Sequence, residues 1–274
     1  MELKTWVAQL GDPRRAVVGL DFDGTLAPIV ADPAAARAHP GVVPALAGLA
    51  PYLAGVVIVT GRPAELAVQY GGFAGVPGLE RLTVLGQYGA ERWDARTGEL
   101  SSPEPPPGVA AARAELPGVL AAAPEGTWVE DKGRALAVHT RRTEDPGAAM
   151  ELLREPVAGL AAAHGLVVEP GRYVLELRPP GVDKGAALTA YLAELDAHAV
   201  LYAGDDLGDL PAFEAVERRR EGGHPGLLVC SGATTGERQV TELADRADLV
   251  VPGPEGVVEL LADLAELLSP PARP

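Results

Sequence analysis

The chain of 274 residues has a single cysteine, Cys230, so no disulfide can form within it, which fits a reducing compartment. Set on an apolar run, that thiol reads as a core group. Positive charge is also scarce: 23 Lys and Arg stand against 38 Asp and Glu, a formal charge of -15. That balance argues against a nucleic-acid backbone or an anionic membrane surface as partner. No apolar run reaches the length of a membrane span, and residues 1–10 are too few and too polar for a secretory signal. The expectation is a soluble, cytoplasmic protein. With 47% hydrophobic residues, there is apolar material for a sizeable core in one large domain or two modest ones.

The stretch that organises the rest is V-V-G-L-D-F-D-G-T at residues 17–25. Val17, Val18 and Leu20 read as a buried parallel strand that stops at two carboxylates, Asp21 and Asp23. In an open parallel sheet, ligands sit in the crevice outside the carboxyl ends of the strands. Asp-Gly is equally a turn signal, so this stretch alone leaves both readings open. Three later stretches repeat the pattern. V-V-I-V-T-G-R at residues 56–62 ends a strand in a hydroxyl, a glycine and a cation; V-D-K-G at 182–185 puts Lys184 at a helix start; V-L-Y-A-G-D-D-L-G-D at 200–209 ends a strand in acids. Polar groups arrive at the same end each time. An anion site in so acidic a chain has to be made locally, from a metal, a lysine and backbone amides.

Between these stretches, strand and helix patterns alternate, which implies an α/β fold with a doubly wound parallel sheet. The run S-S-P-E-P-P-P-G at residues 101–108 breaks that order as a stiff linker. Beyond it a helix with two strands occurs twice (helices at 109–122 and 148–164, strands at 127–130, 135–140, 166–169 and 173–177), a small α+β layer with its own antiparallel sheet. P-P-G at residues 179–181 breaks the chain again. The expected organisation is a core from residues 1–103 and 180–274 with an α+β insertion at 104–179. Residues 26–40 carry loop chemistry and are a candidate flap, and 218–223 reads as a charged surface loop.

The four polar-ended stretches, in this order, resemble the motifs of the haloacid dehalogenase superfamily of phosphatases and phosphotransferases. The resemblance implies that Asp21 attacks phosphorus to form an aspartyl-phosphate, and that Asp23 protonates the leaving alcohol and then deprotonates the hydrolytic water. It implies Mg2+ held by Asp21, the backbone carbonyl of Asp23 and Asp205, with Asp206 or Asp209 assisting. Acids at 205, 206 and 209 also suit a helix N-terminus, although three so close repel one another unless a cation sits among them. Thr60 and Lys184 would meet the transferring phosphoryl oxygens. Arg62 would contact substrate or simply open the next helix.

A narrower resemblance, to the trehalose-6-phosphate phosphatases, covers nearly the whole chain. It rests on L-D-F-D-G-T-L-A-P-I at residues 20–29, V-T-G-R at 59–62, G-Q-Y-G-A-E at 86–91, V-E-D-K-G at 129–133, V-H-T-R at 138–141, L-E-L-R-P-P-G-V-D-K-G at 175–185 and G-D-D-L-G-D at 204–209. It implies that the insertion is a cap, with Glu130, Lys132, His139, Arg141, Glu176 and Arg178 as sugar contacts, as suits a disaccharide rich in hydroxyls. Strand alternation alone would also expose polar groups there. Gly208 stands where that family often has threonine, and Leu210 and Pro211 where it has acids. The implied partner is a small sugar phosphate, the implied assembly a monomer with room for a synthase partner. Two rivals remain. One is the same chemistry on a sucrose, glucosylglycerol or mannosylglycerate precursor; the other is a non-catalytic sugar-phosphate sensor or synthase subunit, which could dispense with Asp21, Asp23 or Lys184.

Overall fold

The apolar runs become strands that stop on one side of a sheet. In the computed structural model, which describes residues 1–30, 32–171, 173–232 and 241–269, the chain divides into two units, Met1–Ser102 with Asp183–Pro274, and Pro103–Val182. The first unit begins with helix α1 (Leu3–Gln9), strand β1 (Ala16–Leu20), α2 (Val42–Leu49), β2 (Gly55–Val59), α3 (Ala64–Gly71), β3 (Leu82–Gly86) and the hairpin strands β4 (Glu91–Asp94) and β5 (Leu100–Ser101). The second unit holds α4 (Pro107–Val119), β6 (Trp128–Asp131), β7 (Leu136–His139), α5 (Pro146–Ala163), β8 (Val167–Gly171) and β9 (Val174–Arg178). The first unit then resumes with α6 (Lys184–Glu194), β10 (Ala199–Gly204), α7 (Leu210–Glu221), β11 (Gly226–Gly232), α8 (Thr241–Arg246), β12 (Leu249–Pro252) and α9 (Gly253–Leu268).

The first unit's sheet runs β12-β11-β10-β1-β2-β3-β4-β5. All its pairs from β12 to β3 are parallel, and β4 and β5 add an antiparallel edge. The order reverses about β1, whose Leu20 is level with Ile58 of β2 and Ala203 of β10. This is the topological switch point, where a doubly wound sheet opens its ligand crevice.

Alternation sends Val18, Leu20, Val56, Ile58 and Leu201 to one face, against Trp6, Leu46, Leu49 and Leu261. Val17, Val57, Val59, Val200 and Tyr202 go to the other, against Leu188, Leu192 and Phe213. Such two-sided burial is what a parallel sheet requires, and each fully buried Val or Leu contributes about 2 kcal/mol of transfer energy. In α9 the buried Val257, Leu260, Leu261 and Leu264 recur at helical spacing and form its inward stripe. Cys230 is a core residue of β11, and burial, with the charges of Asp205 and Asp209, pushes its thiol up to about 11.

One local expectation gives way. Residues 218–221 are not loop but the last turn of α7. Arg218, Arg219 and Arg220 suit a helix C-terminus electrostatically, and Arg220 pairs with Asp248 while Arg219 donates to the Ala197 carbonyl. The candidate flap is tied to the core near both ends: Leu26 and Ala27 are buried, Gly24 N–H donates to Ala27 O at 2.7 Å, and His39 N–H to Leu26 O at 2.8 Å.

The second unit has a four-stranded antiparallel sheet, β6-β7-β9-β8. Leu136, Val138, Leu175 and Leu177 face α4 and α5 and pack with Val109, Leu116, Leu153 and Val157. The period of two therefore leaves Glu130, His139, Glu176 and Arg178 on the opposite face. Among the described residues no helix is long and apolar enough to cross a membrane.

Candidate active site

Asp21 follows the last residue of β1, and its N–H donates to Ala203 O at 2.9 Å, carrying the β1–β10 pairing one step further. Lys184 is the first residue of α6, where the helix dipole disfavours a cation. Two carboxylates reverse that preference: the buried Lys184 Nζ lies 2.7 Å from Asp21 Oδ1 and 2.8 Å from Asp209 Oδ1. Asp209 is fully buried, and Oδ1 also accepts from the Tyr202 hydroxyl at 2.7 Å. Its Oδ2 accepts from the N–H groups of Asp205 and Asp206 at 3.1 and 3.3 Å. Those four bonds use the acceptor sites a carboxylate has. Asp209 is thereby committed to holding Lys184, Tyr202 and the turn after β10.

Asp21, Asp205 and Asp209 offer oxygens within 4.8 Å of one another. Burial, with further push from Asp209 and Asp206, holds the Asp21 carboxyl well above the ordinary range despite Lys184. Asp205 is held well above it by burial and by the charges of Asp206, Asp21 and Asp209. Burial works to lower the Lys184 pKa, but Asp209 and Asp21 outweigh it and hold the ammonium well above its ordinary value. Acids crowded this way gain from a cation, and a donor set of carboxylate oxygens fits a hard divalent ion. With Asp209 saturated, the open oxygens belong to Asp21 and Asp205. Asp206 is exposed and outside the cluster; its Oδ1 accepts from Gly208 N–H at 2.8 Å and caps the turn at 207–209.

The approach of Asp205 depends on Gly24, which has φ +76° and whose missing Cβ would coincide with the Asp205 carboxylate. Asp23 precedes it and takes a side-on, two-point ion pair from Arg62, Nε to Oδ2 at 2.6 Å and Nη2 to Oδ1 at 2.7 Å. Thr60, buried after β2, accepts at Oγ1 from Arg62 N–H at 3.1 Å. The 87–88 turn braces this segment: Tyr88 N–H donates to Thr60 O at 2.9 Å and Gln87 N–H to Arg62 O at 2.8 Å. Ser231, near the end of β11, donates to Gly24 O at 2.7 Å. Glu91 Oε2 accepts from Ala64 N–H at 2.8 Å, capping α3, whose own N-cap position is Pro63 with no side-chain acceptor.

On the polar face of the second unit, Lys132 Nζ lies 2.6 Å from Glu176 Oε2. Glu176 is buried, and among the described residues its Oε1 has no hydrogen-bond partner. His139 Nε2 is 3.0 Å from Glu130 Oε2, and its ring stacks on Trp128 at 4.5 Å. The Arg142 guanidinium lies 4.3 Å from the Trp128 ring centroid. Arg178 pairs with Glu169 at 2.7 Å. Arg141 is exposed and enters none of these pairs.

Of the residues named from the sequence, the fold brings Asp21, Lys184, Asp205 and Asp209 together and groups Asp23, Thr60 and Arg62. Tyr202, Ser231, Glu91 and Trp128 were passed over. For Tyr202 a signal existed, since a hydroxyl within the buried run V-L-Y-A-G needs a partner. Ser231 repeats the polar stop of the other strands, but L-L-V-C-S-G lacks the charge that marked them.

Residues 19–246 match the family described as trehalose-phosphatase. A probable trehalose-phosphate phosphatase of Sinorhizobium fredii is 32% identical over 202 residues, covering 73% of this chain and 73% of that protein. An uncharacterized glycosyl hydrolase of Mycobacterium tuberculosis is 37% identical over 218 residues, 74% of this chain; the chain spans only 15% of that protein's length. The C-terminal domain of a Candida albicans trehalose-6-phosphate phosphatase superposes with a TM-score of 0.75 at 20% identity, covering 97% of each chain, a likeness of fold.

Proposed function

Because the chain belongs to the trehalose-phosphatase family, we propose that it is a Mg2+-dependent phosphatase that hydrolyses trehalose 6-phosphate to trehalose and phosphate. The observation that carries the reading is the buried Asp21–Lys184 pair beside Asp205 at the switch point of the sheet. A phosphate monoester repels nucleophiles by its own charge, so the site must anchor a nucleophile and neutralise the phosphoryl oxygens together.

Asp21 is the nucleophile, held in one rotamer by Lys184. Its oxygen forms a bond to phosphorus as the bond to the sugar oxygen breaks, and that oxygen takes a proton from Asp23. Water then bonds to phosphorus, passes its proton to Asp23 and frees Asp21. Lys184 and the Thr60 hydroxyl meet the phosphoryl oxygens, and Asp209 keeps Lys184 in place. Asp21, Asp205 and the Asp23 carbonyl would hold Mg2+, which when bound supplies a positive charge to those oxygens. The sugar is read by Glu130, Lys132, His139, Arg141, Glu176 and Arg178 of the second unit. The buried Oε1 of Glu176, which has no hydrogen-bond partner among the described residues, supports this, since a sugar hydroxyl is a donor suited to it.

The test is phosphate release with Mg2+ from trehalose 6-phosphate, sucrose 6-phosphate, glucose 6-phosphate and glucosylglycerol phosphate. Trehalose 6-phosphate is expected to be turned over preferentially, and Asp21→Asn to lower the rate by more than about 10^3-fold. Preference for another ester would keep the chemistry and replace the sugar; no release from any ester would overturn the phosphatase reading.

A further inference from the structure

The Arg62–Asp23 pair is built more firmly than substrate contact alone would require. Both ends are fixed. The Arg62 backbone is held by Thr60 Oγ1 through its N–H and by Gln87 N–H through its carbonyl. Its guanidinium carbon lies 5.3 Å from the Tyr70 ring centroid and 5.9 Å from that of the buried Phe22. Tyr70 is itself fixed: Arg37 lies 4.4 Å from its centroid, and its carbonyl accepts from Ala38 N–H at 3.1 Å. On the other side, Asp23 forms a bridge with Ala27, and the following carbonyl, of Gly24, accepts from Ser231. Between these anchors the side-on geometry fixes the plane of the Asp23 carboxylate, which a single hydrogen bond would leave free to rotate. Each carboxylate oxygen keeps a second lone-pair position for a proton.

We propose that Arg62 is the positioning residue for Asp23, fixing the carboxyl group from which the leaving alcohol takes its proton and to which the hydrolytic water returns one. This rests on the phosphatase reading and goes beyond it, since it gives Arg62 a role in proton delivery in place of direct substrate contact. In the first half-reaction, the Asp21–phosphorus bond forms as the ester bond breaks. The bonding pair passes to the ester oxygen, which takes the Asp23 proton. In the second, the water–phosphorus bond forms, the Asp21–phosphorus bond breaks, and the proton from water goes to the Asp23 carboxylate. Both transfers use one side chain, so its misplacement harms each.

The test is the dependence of kcat/KM on leaving group, since kcat/KM reports only the first half-reaction, up to release of the alcohol, and is blind to the hydrolytic half-reaction common to every ester. p-Nitrophenyl phosphate departs without protonation, whereas phenyl phosphate and a sugar phosphate need an acid, and acid assistance is worth on the order of 10^2 to 10^4-fold. Arg62→Lys keeps the charge but loses the two-point geometry. It is expected to lose about tenfold or less on p-nitrophenyl phosphate and about 10^2-fold or more on phenyl phosphate. On an Asp23→Asn background the same change should add less than about threefold. An equal loss across the aryl series would overturn the proposal and indicate a general structural or phosphate-binding role. A loss confined to the sugar ester would overturn it in favour of sugar contact, and a shallower leaving-group dependence would show that Arg62 restrains the acid. Should Arg62→Ala fail to fold, the lysine variant still decides. A wild-type protein inactive on every ester would instead remove the phosphatase reading itself.

Discussion

Asp21 and Asp205 set the response of the first unit to pH and to divalent cations. Burial comes first in raising both carboxyl groups, and neighbouring acids add to it. In the unfolded chain they titrate near about 3.9. A raised folded value means the native state holds the proton more tightly, so their stabilising contribution is full below about 3.9 and is lost as pH rises through the folded values. A divalent cation needs the ionised forms, so its stabilisation grows over that same rise. Thermal unfolding at pH 5 and pH 8, with chelator or with MgCl2, tests this. The Mg2+-induced stabilisation, read as a rise in Tm, is expected to be larger at pH 8, with a free energy reaching about 2.7 kcal/mol when Mg2+ is at 100 times its Kd. An equal gain at both pH values, or the same gain from NaCl at matched ionic strength, would count against it. These acids were legible because each stops an apolar run. For Tyr202 the need for a partner was legible but the partner was not, because Asp209 becomes a neighbour only once the turn at 207–209 folds back over the strand.

At the scale of elements, β1, β2 and β10 were readable because a strand buried on both faces has to be an apolar run. The end of α7 was not: three consecutive arginines look like a solvated loop, and what keeps them helical, Asp248 and the Ala197 carbonyl, is remote in sequence. Helix α3 shows the same dependence. Its N-terminus is served by Glu91 from β4, which also accepts from Ser102 Oγ at 2.9 Å. Glu91→Ala should cost about 1–2 kcal/mol in denaturant unfolding, with Glu91→Gln, which keeps an acceptor oxygen, recovering most of it. Since α3 begins just after Thr60 and Arg62, the alanine variant should also lose activity on phenyl phosphate. Unchanged unfolding midpoints would mean that water serves the helix end equally well. On the second unit's sheet, the stacking of His139 on Trp128 was hidden because it depends on pairing register, which turns set and periodicity does not.

For the molecule as a whole, the two units have separate hydrophobic cores. Leu153 lies in the core of the second, and Leu153→Ala should cost about 2–5 kcal/mol. Hydrogen exchange is expected to accelerate in β7 and β9 and to stay unchanged in β1 and β10. Equal acceleration throughout would show that the units unfold as one. The proline-rich break at 101–108 and the second break at 179–181, where one pattern of elements gives way to another, lie near the ends of the unit Pro103–Val182.

The central place of β1 has a consequence during synthesis. One neighbour, β2, is made soon after it, whereas the other, β10, begins only at Ala199. At about 5–20 residues per second on the ribosome, that interval lasts on the order of ten seconds. Throughout it β1, apolar on both faces, is an open edge on the nascent chain, a template for pairing with other chains. That edge stays open until the second half of the sheet emerges, and Asp21 and Asp205, which stop β1 and β10, come together only then.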